Sequence, residues 1–301
     1  MQNIALLLSC LAIGAALRRY SSIPDNAHTA LNAFIINVAF PALALLQVHN
    51  LHLKPGLAYS VLMPWLLFIV GAGAFWLLGR LFNLRREAIG ALMLTGGLGN
   101  TSFIGLPMID AFYGRDDLAT GILIDTLGTY LVLSTLGVTI ACVYSRRSSG
   151  TAAIVRRVLT FPPLIAVVVA IPLMNVQYPT LLADVLSRLG ATLAPLALVS
   201  VGLQLRFDAW RGNGQTLAAG LGYKLFAAPA LIGLLYLGLF RLNGDNVRVT
   251  LFEAAMAPQI GGSIVASQYG LAPELVTLMV GVGTLLSFVT LPCWWRVLSL
   301  V

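Results

Sequence analysis

Two short stretches of the sequence each place a helix-breaking residue next to a side-chain amide. In GGLGNTSFIGLP, Gly99 precedes Asn100, and in MAPQIGGS, Pro258 precedes Gln259. A helix that restarts after a break presents unpaired N–H groups and the positive end of its dipole, and an amide NH2 adds further donors. These groups together favour a carboxylate ligand. The hydroxyl groups that could add to the same site belong to Thr101 and Ser102.

Both stretches lie within apolar segments of a very hydrophobic chain. Of the 301 residues, 58% are hydrophobic and only 10% are charged, against roughly 25% charged residues in soluble domains, and the mean hydropathy is +0.89. The composition therefore predicts an all-α polytopic membrane protein surrounded by lipid. The net charge of +7 does not indicate nucleic acid as a partner, because the basic residues form short clusters between apolar runs.

Apolar windows of about 20 residues, enough to cross the hydrocarbon core, predict ten transmembrane spans. Spans 1 to 5 cover residues 2–19, 27–47, 57–80, 87–112 and 118–144, and spans 6 to 10 cover residues 156–174, 180–204, 215–240, 247–269 and 273–298. The loops after spans 1, 3, 5 and 7 hold eleven Lys and Arg residues, against five on the opposite face. The first face is therefore expected to be cytoplasmic, with both termini outside the cytoplasm.

Two pairs of similar segments indicate an internal repeat. FPALAL at 40–45 resembles APLALV at 194–199, and GTYLVLSTL at 128–136 resembles GTLLSFVTL at 283–291, at nearly equal offsets of 154 and 155 residues. A repeated unit of five spans must enter the membrane from opposite sides because five is odd. The sequence therefore predicts two inverted five-helix repeats, an arrangement typical of secondary transporters. The predicted units are residues 1–150 and 151–301.

The two interrupted stretches fall in spans 4 and 9, which correspond to each other in the repeat. In a single span, glycines and a proline often only allow close packing or a kink. Breaks at the same depth in both halves instead indicate a substrate site near the bilayer midplane, because interrupted backbone is tolerated in a membrane only where it faces protein or water.

Three ionisable residues lie inside predicted spans, where a charge is costly and usually functional. Asp125 could carry a coupling proton, or it could be a carboxyl group wetted by an outer vestibule. Lys224 could attract an anion, although a structural pairing with an acid is favoured. Glu253, about six residues into span 9, is expected to face the outer solvent, and Asp110, at the end of span 4, is expected at the membrane interface.

The sequence indicates neither an enzyme nor a bound cofactor. It holds no phosphate-binding loop and no pair of carboxylates expected to face one cavity. The three histidines, His28, His49 and His52, lie in or near loops, which argues against a metal site.

Three segments resemble the auxin efflux carriers and their bacterial relatives. GNTSFIGLPMIDAFYG at 99–114 is similar to the fourth-helix motif of that family, APQIGGSIVASQYGLAPELV at 257–276 to its ninth-helix Pro-Gln motif, and KLFAAP at 224–229 to its eighth-helix Lys and Pro. Plant members have Pro before the Asn of the fourth helix, where this chain has Gly99. Because Gly also breaks a helix, the two broken helices are expected to cross at Gly99 and Pro258.

The resemblance implies the architecture of sodium–proton antiporters and bile-acid symporters, and a homodimer in a bacterial inner membrane. Helices 1, 2, 6 and 7 would form a scaffold, and helices 3, 4, 5, 8, 9 and 10 would move against it as a transport domain in an elevator mechanism. The implied activity is export of small organic anions, such as auxin-like monoanions or malate- and malonate-like dicarboxylates. The implied substrate pocket adds a polar pair of the fifth helix, Asp125 and Thr126, to the two amides, and its aspartate departs from the amide-rich plant pair.

Two other functions fit the same residues. A sodium- or proton-coupled organic anion symporter of the bile-acid symporter type could hold Na⁺ on unwound carbonyls beside Asn100, Thr101 and Gln259, with Asp125 supplying charge. A membrane receptor that binds an anion without moving it would also need such a site.

Overall fold

The computed structural model describes residues 2–20, 23–24, 26–49, 58–145, 150–174, 176–204 and 210–300. Within these residues the chain is helical and forms no β-strand. Some of the basic residues counted for the predicted orientation lie outside the described residues. They are Lys54, Arg146, Arg147 and Arg206.

The helices are named in chain order. The first half of the chain contains α1 (Gln2–Tyr20), α2 (Ala27–Val48), α3 (Ala58–Leu81), α4 (Arg86–Gly96), α5 (Thr101–Phe112) and α6 (Leu118–Tyr144). The second half contains α7 (Thr151–Leu159), α8 (Pro162–Leu173), α9 (Thr180–Gln204), α10 (Gly212–Leu239), α11 (Asp245–Ala254), α12 (Ile260–Gln268) and α13 (Pro273–Leu298).

Six of these helices are long and apolar enough to cross a bilayer, namely α2, α3, α6, α9, α10 and α13. Helices α7 and α8 pass the same test together, but they bend by 54° at their junction. The chain is therefore an all-helical polytopic membrane protein.

Two segments differ from the prediction. The region of predicted span 6, residues 156–174, is bent, with a break at Thr160 and Phe161, because Pro162 and Pro163 follow and a residue before proline is disfavoured in the helical conformation. The segment RGNG at 211–214 was expected to be a loop, but it is helical, because a helix runs from Trp210 through these residues into α10.

Helix α4 lies at the centre of the fold. Every residue of α4 from Gly90 to Gly96 is buried, and α4 packs against α3, α6, α12 and α13. Elsewhere, α1 packs along α9, where Gly14 faces Gly202, and a Cβ atom on Gly202 would lie 2.8 Å from backbone atoms of α1. Such close backbone approach is typical of helices packed in membranes.

Several long helices contain π-helical turns. Three of these turns carry residues that the sequence marks as chemically important: Thr101–Gly105 holds Thr101, Ile124–Thr129 holds Asp125, and Tyr223–Ala227 holds Lys224. A π turn adds one residue to a helical turn and often occurs at functional sites. These turns were not predicted from the sequence.

Candidate functional site

Two helix breaks face each other at the centre of the molecule. Helix α4 ends at Gly96 and α5 begins at Thr101, while α11 ends at Ala254 and α12 begins at Ile260. Glycine favours the first break because it destabilises a helix interior, and Pro258 favours the second because it has no N–H to donate.

The two breaks are joined through their backbones. Gly99 and Pro258 form an isolated antiparallel bridge. The N–H of Asn100 donates to the carbonyl of Ala257 at 2.9 Å, and the N–H of Gln259 donates to the carbonyl of Thr95 at 3.0 Å. One of these hydrogen bonds joins the two unwound segments and the other joins the second segment to the last turn of α4, so backbone groups at the breaks find partners within the protein, as a membrane interior requires.

The side-chain amide of Asn100 has a hydrogen-bond partner for its oxygen but none for its NH2 group among the described residues. Its side chain is fully buried, and its Oδ1 accepts a hydrogen bond from the N–H of Phe103 at 3.1 Å, which caps the start of α5. Its Nδ2 finds no hydrogen-bond partner within the described part of the chain. An unpartnered buried donor is costly, so this NH2 is available to a ligand.

Asp125 accepts hydrogen bonds from the two hydroxyl groups that follow Asn100. Thr101 Oγ1 donates to Asp125 Oδ1 at 2.6 Å, and Ser102 Oγ donates to Asp125 Oδ2 at 2.5 Å. Both hydroxyl hydrogens are thus used within the protein and do not face a ligand in this conformation. The neighbouring Thr126 differs, because its buried Oγ1 has no partner among the described residues.

Gln259 occupies the position before α12 and is 8% exposed. The next residues of α12 include two glycines that allow its first turn to lie against other helices. A Cβ atom on Gly261 would meet the ring of Phe40 at 2.8 Å, and one on Gly262 would overlap the carbonyl of Leu94. The N-terminus of α12 is therefore pressed between α2 and α4.

Lys224 binds a backbone carbonyl rather than the acid that the sequence analysis favoured. Its side chain is fully buried, and its Nζ donates to the carbonyl of Ala254 at 2.9 Å. That carbonyl belongs to the last residue of α11, so the ammonium group lies at the negative end of the α11 dipole.

Glu253 is fully buried, so the expectation that it faces solvent is wrong. Its carboxyl group fills the space left by two glycines. A Cβ atom on Gly105 would lie 2.5 Å and 2.6 Å from the two carboxyl oxygens, and a Cβ on Gly121 would lie 3.5 Å from Oε1. Gly105 belongs to the FIGLP segment, and its lack of a side chain was the sequence signal that could have indicated a close neighbour.

One cavity lies away from the crossing of the breaks. Its volume is about 680 Å³. It is bordered by the ends of α1, α2 and α9 and by the turn between α12 and α13, with Arg18 and Arg85 in its wall. These arginines belong to the face that the sequence predicts to be cytoplasmic. No cluster of His, Cys, Asp and Glu suited to a metal ion occurs among the described residues.

Comparison with known proteins places the chain among transporters. A family model described as membrane transport protein matches residues 1–152 and 145–295. An uncharacterized transporter of Methanothermobacter thermautotrophicus is 28% identical, covering 99% of this chain and 98% of its own length. One of Methanocaldococcus jannaschii is 24% identical with 99% of each chain covered, and YfdV, an uncharacterized transporter of Escherichia coli, is 23% identical over 94% of this chain and 92% of its own. The chain therefore belongs to the auxin efflux carrier family of membrane transport proteins.

Proposed function

We propose that the protein is a secondary transporter that exports small organic anions across a bacterial inner membrane, without a cofactor and without an enzymatic step. The observation that carries this proposal is the buried Nδ2 of Asn100, which has no partner among the described residues and lies at the crossing of two broken helices. A membrane protein tolerates such a donor where a ligand satisfies it.

The charges around the crossing favour an anion. The N-termini of α5 and α12 both start there and carry partial positive charge. Lys224 offsets the negative end of α11. The carboxylate of Asp125 lies at the N-terminus of α5, where it accepts hydrogen bonds from Thr101 and Ser102, so it offsets the positive charge of that helix end. The positive end of α12 remains without such a partner. The proposed carboxylate site consists of this helix end, the free NH2 of Asn100, and the side chains of Gln259 and Thr126.

The proposed architecture has ten transmembrane segments in two inverted five-helix repeats. It counts α4 with α5, α7 with α8, and α11 with α12 as one broken or bent segment each. Two helix pairs support the repeat: α1 packs on α9, and α8 packs on α2. In each pair, one of the first two segments of one half contacts one of the first two segments of the other half. In this proposal those four segments form the scaffold of a homodimer, and the other six move as the transport domain in an elevator mechanism.

The proposed orientation places the arginine-lined cavity on the cytoplasmic side and both termini on the other side. An anion would then reach the transport domain from the cytoplasm through this cavity. A potential of 100 mV, negative inside, contributes about 2.3 kcal/mol to export of a monoanion, or roughly fifty-fold at equilibrium. Export therefore needs no bound nucleotide.

Flux of radiolabelled anions from proteoliposomes tests the proposal. A panel of monocarboxylates and dicarboxylates, malate and malonate included, should contain at least one anion that moves faster than in empty vesicles. The variant Asn100→Asp keeps the capping oxygen and removes the donor, so it should fold normally and lose this flux. The matched control is Asn243→Asp, which changes an exposed asparagine. Absence of flux for the whole panel, or wild-type flux in N100D, would overturn the proposal.

A cation-coupled anion symporter is the second candidate. The observation in its favour is the carboxylate of Asp125 beside the breaks, with the oxygens of Thr101 and Ser102 next to it. Oxygen ligands of this kind suit a hard cation. Uptake that requires Na⁺ in the wild type and loses that requirement in Asp125→Asn would favour this candidate over uniport.

A further inference from the structure

The carboxyl group of Glu253 is a buried acid that the proposed anion site does not use. It is fully buried, and neither of its oxygens has a hydrogen-bond partner among the residues described. Its oxygens pack against Gly105 and Gly121, which offer no polar side chain. Removing an ionised carboxylate from water costs several kcal/mol unless donors replace the lost hydration. The site therefore suits the neutral acid.

Two charged groups act on Glu253, Lys224 of α10 and Asp125 of α6. Each of them is satisfied by other atoms: Lys224 donates to the carbonyl of Ala254, and Asp125 accepts from two hydroxyls. In the described part of the chain, no ion pair joins Lys224 to Glu253. The positive charge of the Lys224 ammonium group balances the negative charge of the Asp125 carboxylate. The net charge of the three groups is therefore zero when Glu253 is protonated.

The other titratable groups near α11 are Arg248, Asp245 and Tyr113. Arg248 pairs with Asp245 at 3.0 Å on the exposed side of the helix. Tyr113 packs its ring on the residue before Glu253. From α3, the neutral hydroxyl of Ser60 is hydrogen-bonded to α11 at 2.8 Å. Since Glu253 has no hydrogen-bond partner, none of these groups stabilises its ionised form by direct contact.

We propose that Glu253 is a proton-binding site of the transport domain, and that its proton moves together with the anion and exchanges with water when the crossing is exposed. This inference rests on the proposed function. Glu253 is the penultimate residue of α11, next to the break between α11 and α12, so any movement of the crossing moves this carboxyl group with it. Binding of an anion nearby favours the protonated form, because a second negative charge would repel it. The direction of net flux then depends on both the anion and the proton gradient. With a proton bound, a monoanion crosses without net charge and the membrane potential no longer drives its export, whereas a dicarboxylate dianion still carries one negative charge and is driven outward by the potential.

Infrared spectroscopy of the protein in lipid tests the proton site without any substrate. The wild type should show the C=O stretch of a protonated carboxylic acid at neutral pH. The band should vanish in Glu253→Gln and persist in Asp125→Asn and in Glu274→Gln, which changes an exposed glutamate. A wild-type spectrum without the band, or a band unchanged in E253Q, would overturn the proposal.

Isotope labelling keeps this test valid if E253Q does not fold. The chain has three glutamates, and Glu87 and Glu274 lie at less buried positions than Glu253. Labelling glutamate with ¹³C at the side-chain carboxyl should shift the band in the wild-type protein. A band that shifts only on labelling of aspartate would assign the proton to another residue and refute the inference.

Flux under a pH gradient tests the coupling. With radiolabelled malonate as the probe, or whichever anion of the panel is carried, vesicles that are one pH unit more alkaline inside and held at zero membrane potential should accumulate the anion about tenfold for one proton moved. E253Q should only equilibrate it. Wild-type accumulation that ignores the pH gradient would refute coupling, whereas absence of all flux would instead refute the proposed function, and the infrared band would still decide the proton site.

Discussion

Replacing Gly105 by alanine tests the packing of the central carboxyl group. The backbone at Gly105 has ordinary helical angles, φ −58° and ψ −60°, so alanine is compatible with the local conformation. Its methyl group would lie 2.5 Å and 2.6 Å from the carboxyl oxygens of Glu253 and 2.9 Å from its Cδ. The carboxyl group has little free space because Gly121 also lies close to it, with an added Cβ atom there 3.5 Å from Oε1. Overpacking of this kind costs about 1–3 kcal/mol.

The matched control is Gly233→Ala in α10, where an added Cβ atom would meet no other atom within 4 Å. Alanine is favoured over glycine in a helix by about 0.5–1 kcal/mol, so the control should be at least as stable as the wild type. G105A should therefore lie about 1–3 kcal/mol below G233A, which for a chain of 301 residues corresponds to an apparent Tm lower by about 2–5 °C in detergent.

A double variant identifies the cause of the loss. Truncating Glu253 to alanine removes the atoms that the new methyl group would contact, so G105A should cost less in the E253A background than in the wild type. The reasoning would be refuted if G105A were as stable as G233A, or if it cost the same in both backgrounds.

Two further substitutions test the scaffold and the core. Gly202→Ala should destabilise the protein by about 1–3 kcal/mol, because its Cβ would contact the backbone of α1 beside Gly14, while Gly73→Ala in open space should be neutral or stabilising; equal melting temperatures would contradict this packing. Tyr236→Phe removes the hydrogen bond to the carbonyl of Tyr59 at 2.6 Å and should lower the unfolding free energy by about 1 kcal/mol, so an unchanged denaturation midpoint would count against that bond.

The helix breaks could be predicted from the sequence because their causes are local. Gly99 and Pro258 disfavour helix where they stand, and their surroundings are apolar enough to mark membrane helices. The family to which the chain belongs was also predictable, because its motifs lie at these breaks. The internal repeat and the family resemblance led us to expect that the broken helices cross at Gly99 and Pro258. In the structure these two residues form a backbone bridge.

The environment of Glu253 could not be predicted because it depends on distant residues. Its position near the start of span 9 suggested solvent, but depth along a helix does not determine exposure when other helices surround its first turns. The residues that enclose the carboxyl group, Gly105 and Gly121, belong to other helices. The same holds for Thr101 and Ser102, whose hydroxyls were expected to serve a ligand and instead donate to Asp125.

The hydrogen bond between Gln259 and Thr95 has a consequence for the order in which the protein assembles. The two residues are separated by more than half of the chain, so Thr95 is synthesised and inserted long before its partner exists. Until then the Thr95 carbonyl needs another donor, which water, lipid headgroups, the insertion machinery or a further turn of α4 can supply, because lipid tails offer none. The first half of the chain therefore cannot complete its fold as it emerges from the ribosome. During biogenesis the end of α4 therefore stays without its final hydrogen-bond partner until the second half of the chain has been inserted into the membrane.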